Sequence, residues 1–330
     1  MNTPVAPLVS VVMPVHNREK LVQEAIHSIQ NQTFQDWELV ILDDGSTDRS
    51  LEVCRTFSQA DPRIRVFANE RNEGVAACRN RLVTLSCGKY IANQDSDDIS
   101  VPERLAWQVD VLESKPDVGL VSGICEWIDL QGNTTAHSPS GLATGQQYPQ
   151  SKTEMVRLLY QNCNVENSTC MVRRSVLSEI PGPFDSSLKV CSDWRFLLDL
   201  AHRHKIYGIS KVLVKLRRDI NHPHLWKDKE SGIFYANQCL RGVYRDYRKK
   251  DSPVSYILYR KAMAGFLLWD AYGWPMPDYQ RALKAIQYDP TSKEAWKTVF
   301  RNGNFKRSLR YIKRQVLAKT SKSPDQPTVR

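Results

Sequence analysis

Lys89-Tyr90-Ile91-Ala92-Asn93-Gln94-Asp95-Ser96-Asp97-Asp98 is a short apolar run that ends in a cluster of carboxylates. Residues 89–94 read as a buried strand and 95–98 as an acidic turn at its end. The same pattern occurs upstream, where residues 37–42 (WELVIL) run into Asp43-Asp44-Gly45-Ser46. Around these lie two more strands, 8–15 (LVSVVMPV) and 64–67. Helices alternate with the strands. Leu21, Ala25, Ile26 and Ile29 recur at helical spacing, as do Leu51, Val53, Cys54 and Phe57, with Ser46, Thr47 or Asp48 available as a cap. Residues 74–86 give a third helix. This alternation predicts βαβ units and a mostly parallel sheet. In such sheets ligands bind beyond the carboxyl ends of the strands, where both acidic clusters fall.

The rest of the chain is more mixed. Residues 102–114 read as helix and 118–127 as strand, while 131–151, rich in Gly, Ser, Thr, Pro and Gln, read as a loop or lid. Helical patterns return at 154–161, 174–179 and 193–204, and beyond Gly232 the chain reads mainly as helix. Residues 282–296 have the look of one helical hairpin, and a single copy is no repeat array. The 330 residues, 41% apolar and 25% charged, suit a large α/β domain with an appendage. Eight scattered cysteines form no C-x-x-C pair, which argues for incidental thiols in a reducing compartment over a zinc or redox site. The first sixteen residues carry no Lys or Arg and are broken by Pro4, Pro7 and Pro14, so they read as a strand and not a signal peptide. With no run of the roughly 20 apolar residues that span a bilayer, the expectation is a cytoplasmic protein, peripheral to the inner face of a membrane at most.

Alternate carboxylates on a tight turn, as in Asp95-Ser96-Asp97-Asp98, can hold a hard divalent cation whose other positions are filled by water and phosphate oxygens. The alternative is a solvated turn or a helix cap. Asp43–Asp48 is either a turn with a cap or a site where an ionised carboxylate, an acceptor only, takes the ring N–H of a pyrimidine.

Taken in order, the pieces resemble glycosyltransferase family 2, inverting enzymes of the A-type glycosyltransferase (GT-A) fold. The resemblance is carried by Val9-Ser10-Val11-Val12-Met13-Pro14-Val15-His16-Asn17, Leu42-Asp43-Asp44-Gly45-Ser46-Thr47-Asp48, Asn72-Glu73-Gly74, Ala77-Cys78-Arg79-Asn80, Asp95-Ser96-Asp97-Asp98 and Pro102-Glu103-Arg104-Leu105. It continues through Gly182-Pro183-Phe184-Asp185 and Ser192-Asp193-Trp194-Arg195-Phe196, and spans about residues 8–225. It implies a Rossmann-like, mostly parallel sheet flanked by helices, with a helical C-terminal extension. The implied activity moves a sugar from a nucleotide-sugar donor, a UDP-sugar, to an acceptor hydroxyl, with Mn²⁺ or Mg²⁺ as cofactor. Such an enzyme serves polysaccharide, lipid-linked or cell-surface glycan synthesis, the cell wall included.

Roles carry over by position. Asp44 would accept the base N–H, with Pro14, His16 and Asn17 lining the nucleotide pocket. Asp97 would be the direct metal ligand and Asp95 would lie near the ribose or a metal-bound water. Asp193 would be the catalytic base. Its other reading is a helix N-cap. Arg79 and Asn80 read as pocket or support. Arg217, Arg218 and His222 fall where a loop covers the diphosphate, and His222 would be a third metal ligand or a phosphate clamp. Two positions depart from the pattern: Ser192 stands where an acid is frequent and Asp199 where an Arg is frequent, which bears on the acceptor.

Rival readings are a non-catalytic nucleotide-sugar or glycan-binding protein and a nucleotidyltransferase. The second should carry a Gly-rich phosphate loop near its first strand, and PVHNREK has no glycine. Nucleic-acid binding lacks a recognisable module. The expected division is a catalytic domain over 1–235, a basic helical extension over 236–319 and a disordered tail over 320–330. Residues 241–330 hold 20 basic and 7 acidic residues, against 26 and 29 in residues 1–240. Phe305, Leu309, Ile312 and Val316 fall on one helical face among cations, which predicts either packing on the domain or contact with an anionic membrane.

Overall fold

The computed structural model describes residues 6–161, 163, 165–180, 182–217, 229–247, 256–268, 285–293 and 295–297. The chain opens with β1 (Val9–Val15), α1 (Val22–Gln30), β2 (Trp37–Asp43), α2 (Ser50–Ala60), β3 (Ile64–Ala68), α3 (Val75–Leu85) and β4 (Tyr90–Asn93). It continues with β5 (Ile99–Ser100), α4 (Arg104–Ser114), β6 (Val118–Ile128), β7 (Thr134–Ser138), α5 (Ser140–Ala143) and α6 (Lys152–Gln161). A 3-10 turn at Asn167–Thr169 leads into β8 (Met171–Arg173), α7 (Arg174–Ser178), α8 (Ser192–Ala201), β9 (Lys205–Arg217), α9 (Lys229–Tyr247) and α10 (Tyr256–Leu268).

The chain forms two compact units, Met1–Leu159 with Cys163–Pro253, and Tyr160–Asn162 with Val254–Arg330. Helix α9 thus lies within the unit that carries the sheet. In the second unit Arg260 of α10 caps a short helical segment at 285–288, donating from Nε to the Tyr288 carbonyl (2.6 Å) and from Nη2 to that of Gln287 (2.6 Å). Arg218, His222 and residues 305–330 lie outside the described residues, and with them the expectations that rest on them. Among the described residues no helix is long and apolar enough to cross a membrane.

The sheet runs β3-β2-β1-β4-β8-β6-β9-β5, with β7 paired to β6. Strands β3, β2, β1 and β4 are mutually parallel, so the ends of β2 and β4 open on the same edge. All seven residues of β2 and all four of β4 are buried, as strands covered on both faces of a parallel sheet are. The core joins Val11, Met13, Leu39, Ile41 and Ala92 of these strands to Ile26 and Ile29 of α1 and Leu105 of α4. Beyond β4 the sheet is mixed: β8 is antiparallel to β4 and β6, whereas β6 and β9 are parallel.

The second half departs from the sequence reading in detail. Residues 131–151 contain β7 and α5, because β7 finds an edge along β6. Strand β9 carries four basic residues among its apolar ones, which masks its pattern, and it is held by a long pairing with β6. Strands β5 and β8, two and three residues long, are too short to show a period.

Candidate active site

The loops after β1 and β2 interlock. Asn17 adopts a left-handed backbone (φ 52°), which Asn tolerates better than most residues. Its N–H donates to Ser46 Oγ (3.0 Å), and its Oδ1 accepts the Thr47 N–H (2.8 Å). His16 Nδ1 lies 3.0 Å from the Asp44 carbonyl, which can only accept, so Nδ1 carries the proton. Nε2 is then the acceptor facing the Asn17 amide at 3.2 Å. Gly45 (φ 65°) is pressed so close to the next loop that a Cβ there would stand 2.7 Å from the Arg71 carbonyl carbon. The N-cap of α2 is Arg49, without a side-chain cap bond; none of Ser46, Thr47 and Asp48 takes the cap position, and Asp48 stands one residue before it, with Oδ1 accepting the Ser50 N–H (2.9 Å).

Asp44 is buried at the end of this loop. Its Oδ1 accepts from Asn69 Nδ2 (2.7 Å) and the Glu73 N–H (2.9 Å). Its Oδ2 accepts from the Gly74 N–H (2.9 Å). Burial alone would push this carboxyl up, but the Glu73, Asn69, Cys78 and Gly74 donors outweigh it and hold the carboxyl below its ordinary value. Asp44 therefore braces the segment between β3 and α3, with two nitrogen donors on Oδ1 and one on Oδ2.

The acidic turn after β4 rests on a buried cation. Arg104, fully buried, donates to the Asn93 carbonyl (2.7 Å), Gln94 Oε1 (2.9 Å) and Ser100 Oγ (2.9 Å). Gln94 in turn donates to the Asp98 carbonyl (2.8 Å). Burial pulls the guanidinium down to about 10, against the attraction of neighbours that include Asp98 and Asp95. Asp98 faces inward, with Oδ1 near the Arg217 N–H (3.3 Å). Burial, then Asp97 and Asp95, push its carboxyl well up. Asp95 and Asp97 face outward, their side chains 34% and 26% exposed. Sequence reasoning gave Arg104 and Asp98 no role. The signal was an Arg six residues past the acidic cluster, which a sequence does not distinguish from a surface cation.

Each outward carboxylate meets a guanidinium. Arg18 Nε donates to Asp97 Oδ2 (3.1 Å), and buried Arg79 donates from Nη2 to Asp95 Oδ1 (2.8 Å). Burial disfavours charge on Arg79, but Asp95 and Asp193 prevail and its pKa rises. Arg79 thus joins the acidic turn electrostatically to the start of α8, where Asp193 sits in the first turn. The N-cap of α8 is Cys191, in a left-handed conformation (φ 66°), so the cap position is not Asp193's. Asn80 braces the loop before α8, exchanging hydrogen bonds with the Phe184 carbonyl (2.7 Å) and N–H (3.0 Å). Asp199 binds Arg195 Nε (2.7 Å), and Arg217 is engaged with Glu24 (2.6 Å). Pro14 is the penultimate residue of β1, paired with Leu42.

Among the described residues no group of three or more His, Cys, Asp or Glu side chains is placed to hold a metal ion. Two half-exposed carboxylates on one turn suit a Mg²⁺ or Mn²⁺ bound through one or two protein oxygens, with substrate phosphate and water supplying the rest. They do not suit an all-protein cage.

The parallel half of the sheet, with acidic turns after β2 and β4 on one edge, defines an α/β class whose ligands bind beyond the carboxyl ends of the strands. Residues 10–181 match the family model described as "Glycosyl transferase family 2". An uncharacterized glycosyltransferase of Methanocaldococcus jannaschii is 31% identical over 231 residues, 69% of this chain and 77% of the relative. One from Rickettsia felis is 32% identical over 63% of this chain but only 33% of its own length. Among solved structures, TarS 1-349 of S. aureus in complex with UDP-GlcNAc superposes with a TM-score of 0.58 at 18% identity, covering 89% of this chain and 92% of that one. A mannosyltransferase of Pyrobaculum calidifontis in complex with GDP-Man and Mn²⁺ gives 0.57 at 18%, covering 95% and 85%. The chain belongs to glycosyltransferase family 2, and its fold is of the GT-A kind.

Proposed function

We propose that this glycosyltransferase takes its sugar from a UDP-sugar and transfers it with inversion to an acceptor hydroxyl in glycan synthesis. The observation that carries the reading is Arg79. It is buried, bonded to Asp95 (2.8 Å) and held charged by Asp95 and Asp193 together, which supports assigning the acidic turn and the start of α8 to one site. Asp44, held ionised by its donors, presents Oδ2 to a base N–H, with His16 and Asn17 shaping the loop beside it. Asp97 would hold a divalent metal, with Asp95 beside it. That ion would stabilise the charge that develops on the departing diphosphate. Asp193 takes the proton of the acceptor hydroxyl as it attacks from the face opposite the diphosphate, a task for one positioned carboxylate. No covalent sugar–enzyme intermediate is needed, so one base suffices and the anomeric centre inverts.

The neighbours' UDP-GlcNAc and GDP-Man complexes support a nucleotide-sugar donor of either base, since uracil N3–H and guanine N1–H both suit Asp44. The test is release of free nucleoside diphosphate from a panel of nucleotide sugars, with Mn²⁺, with Mg²⁺ and with chelator. Metal-dependent release from UDP-sugars supports the reading. Release from GDP-sugars alone reassigns the donor, and no release from any of them leaves a binding protein.

A further inference from the structure

We propose that the groove between α8 and α9 is an accessory subsite for an anionic glycan, on the side of α8 turned away from the catalytic cleft. The inference rests on the glycosyltransferase reading for the identity of its ligand. The groove has a volume of about 330 Å³. Phe234, Gln238, Arg241 and Arg245 line it from α9. Their spacing of four, three and four residues puts them on one face of the helix. Phe234 is 62% exposed, an unusual position for a large aromatic ring. Arg241 is exposed, and the Arg245 side chain is 73% exposed with only its Nε on neighbouring Asp246 (3.2 Å).

Arg195 of α8 forms the floor. It is spent on ion pairs with Asp199 (2.7 Å) and Asp246 (2.7 Å). Gly242 makes room for it: a Cβ there would stand 2.6 Å from Arg195 Nη1. Asp185 is the one carboxylate among the described lining residues, and it is occupied by the Ser187 N–H (3.0 Å) and Oγ (2.7 Å). The groove therefore offers a ligand the Phe234 ring face, the Gln238 amide, the Arg241 guanidinium and the outer nitrogens of Arg245. A ring face takes the C–H side of a sugar, amides take hydroxyls, and guanidiniums fork onto phosphate or carboxylate oxygens. Asp193 and Arg195 are two residues apart on a helix, about 200° around its axis. Asp193 acts on Arg79 and Arg195 reaches α9, so the groove receives a part of the acceptor remote from the reacting hydroxyl.

The experiment uses the full chain and titrates three probes: an oligogalacturonate, a glycerol-phosphate oligomer and neutral maltohexaose. UDP binding and donor hydrolysis are measured alongside. Binding of either anionic probe at least tenfold tighter than the neutral one supports the proposal, and the preferred probe tells carboxylate from phosphodiester. Arg241→Ala/Arg245→Ala and, separately, Phe234→Ala should each weaken the anionic probe tenfold or more. Both should leave UDP binding unchanged, which shows that they fold. Arg55→Ala/Lys115→Ala, which removes two exposed cations elsewhere, should change it less than twofold. Equal binding of neutral and anionic probes, full affinity in the α9 variants, or equal losses in the Arg55/Lys115 variant would overturn the proposal. So would vesicles of anionic lipid binding through the same residues in place of the glycans. Loss of donor hydrolysis with glycan binding intact would count against the enzymatic reading and not against the groove.

Discussion

Asp44→Asn separates bracing from base recognition at one residue. The carboxylate holds three well-formed donors, two on Oδ1 and the Gly74 N–H on Oδ2. The best amide orientation keeps its oxygen toward Asn69 and Glu73 and turns its NH₂ toward Gly74. One buried donor then loses its acceptor, at about 1–3 kcal/mol, and two bonds lose their charge assistance. The expected destabilisation is about 2–4 kcal/mol, readable by urea unfolding. At the Oδ2 position the NH₂ also opposes a uracil N3–H. Losing a hydrogen bond to a charged acceptor, about 1.5–3 kcal/mol, weakens UDP roughly ten- to 150-fold. Cytosine has an unprotonated N3, which that NH₂ can serve as donor. Calorimetric titration should therefore show UDP and GDP affinity falling while the preference for CDP over UDP rises at least tenfold. If UDP, GDP and CDP all weaken by the same factor, or UDP binding is unchanged in a variant that is destabilised, Asp44 is only a brace and the base sits elsewhere.

Asp97→Ala should abolish metal-dependent turnover, and wild-type activity should vanish in chelator and return with Mn²⁺ or Mg²⁺. Its stability in urea should change by no more than about 1 kcal/mol, since the pair it loses with Arg18 is partly exposed. Asp193→Asn should bind UDP normally in calorimetry yet transfer about 10²- to 10⁴-fold more slowly. Gly45→Ala combines a left-handed backbone with a backbone clash at 2.7 Å, which should cost about 2–5 kcal/mol in urea unfolding and weaken UDP as the Asp44 loop shifts. Asp98→Asn tests the raised carboxyl of Asp98. A carboxyl that holds its proton more tightly folded than unfolded favours the fold at low pH. Its contribution falls as pH rises from the unfolded pKa, near 4, through the folded one, at up to about 1.4 kcal/mol per pH unit. In metal-free protein the stability of wild type relative to Asp98→Asn should therefore decline from pH 4 upward; a difference independent of pH would refute the assignment.

The first half of the sheet was legible because β1, β2 and β4 are almost wholly buried on both faces. Residues such as Val11, Leu39 and Ile41 then form unbroken apolar runs, and the carboxylates that follow mark where burial stops. The same logic failed for β9, whose lysines face solvent along one side while its partner β6 supplies the missing context. That Asp44, Asp95 and Asp97 follow parallel strands on one edge of the sheet was legible, since each comes just after a buried run. The electrostatic partner of Asp193 was not, since Arg79 lies on a helix 114 positions away in sequence. Nor was the N-cap of α8: Asp193 has the right chemistry for it, but the cap is Cys191, two residues earlier, with a left-handed backbone.

Several carboxylates at one end of a sheet would repel one another strongly if left bare. The chain meets this with guanidiniums of graded accessibility. Arg104 is sealed beneath the turn and bonds only to neutral acceptors, so it fixes the shape of the turn without consuming an outward carboxylate. Arg79 is buried against half-exposed Asp95, and its ring contact with Phe184 (5.7 Å) helps anchor it. Arg18 is the exception. It rides on the loop after β1, its side chain is 22% exposed, and its bond to Asp97 is the longer of the two, 3.1 against 2.8 Å. Of the cations that offset the acidic turn, Arg18 costs least to move, and it guards the one carboxylate to which a metal role is proposed. A divalent ion bound at Asp97 would compete with a partly exposed pair rather than a buried one, and the displaced Arg18 would stay on the loop after β1, beside the proposed diphosphate site.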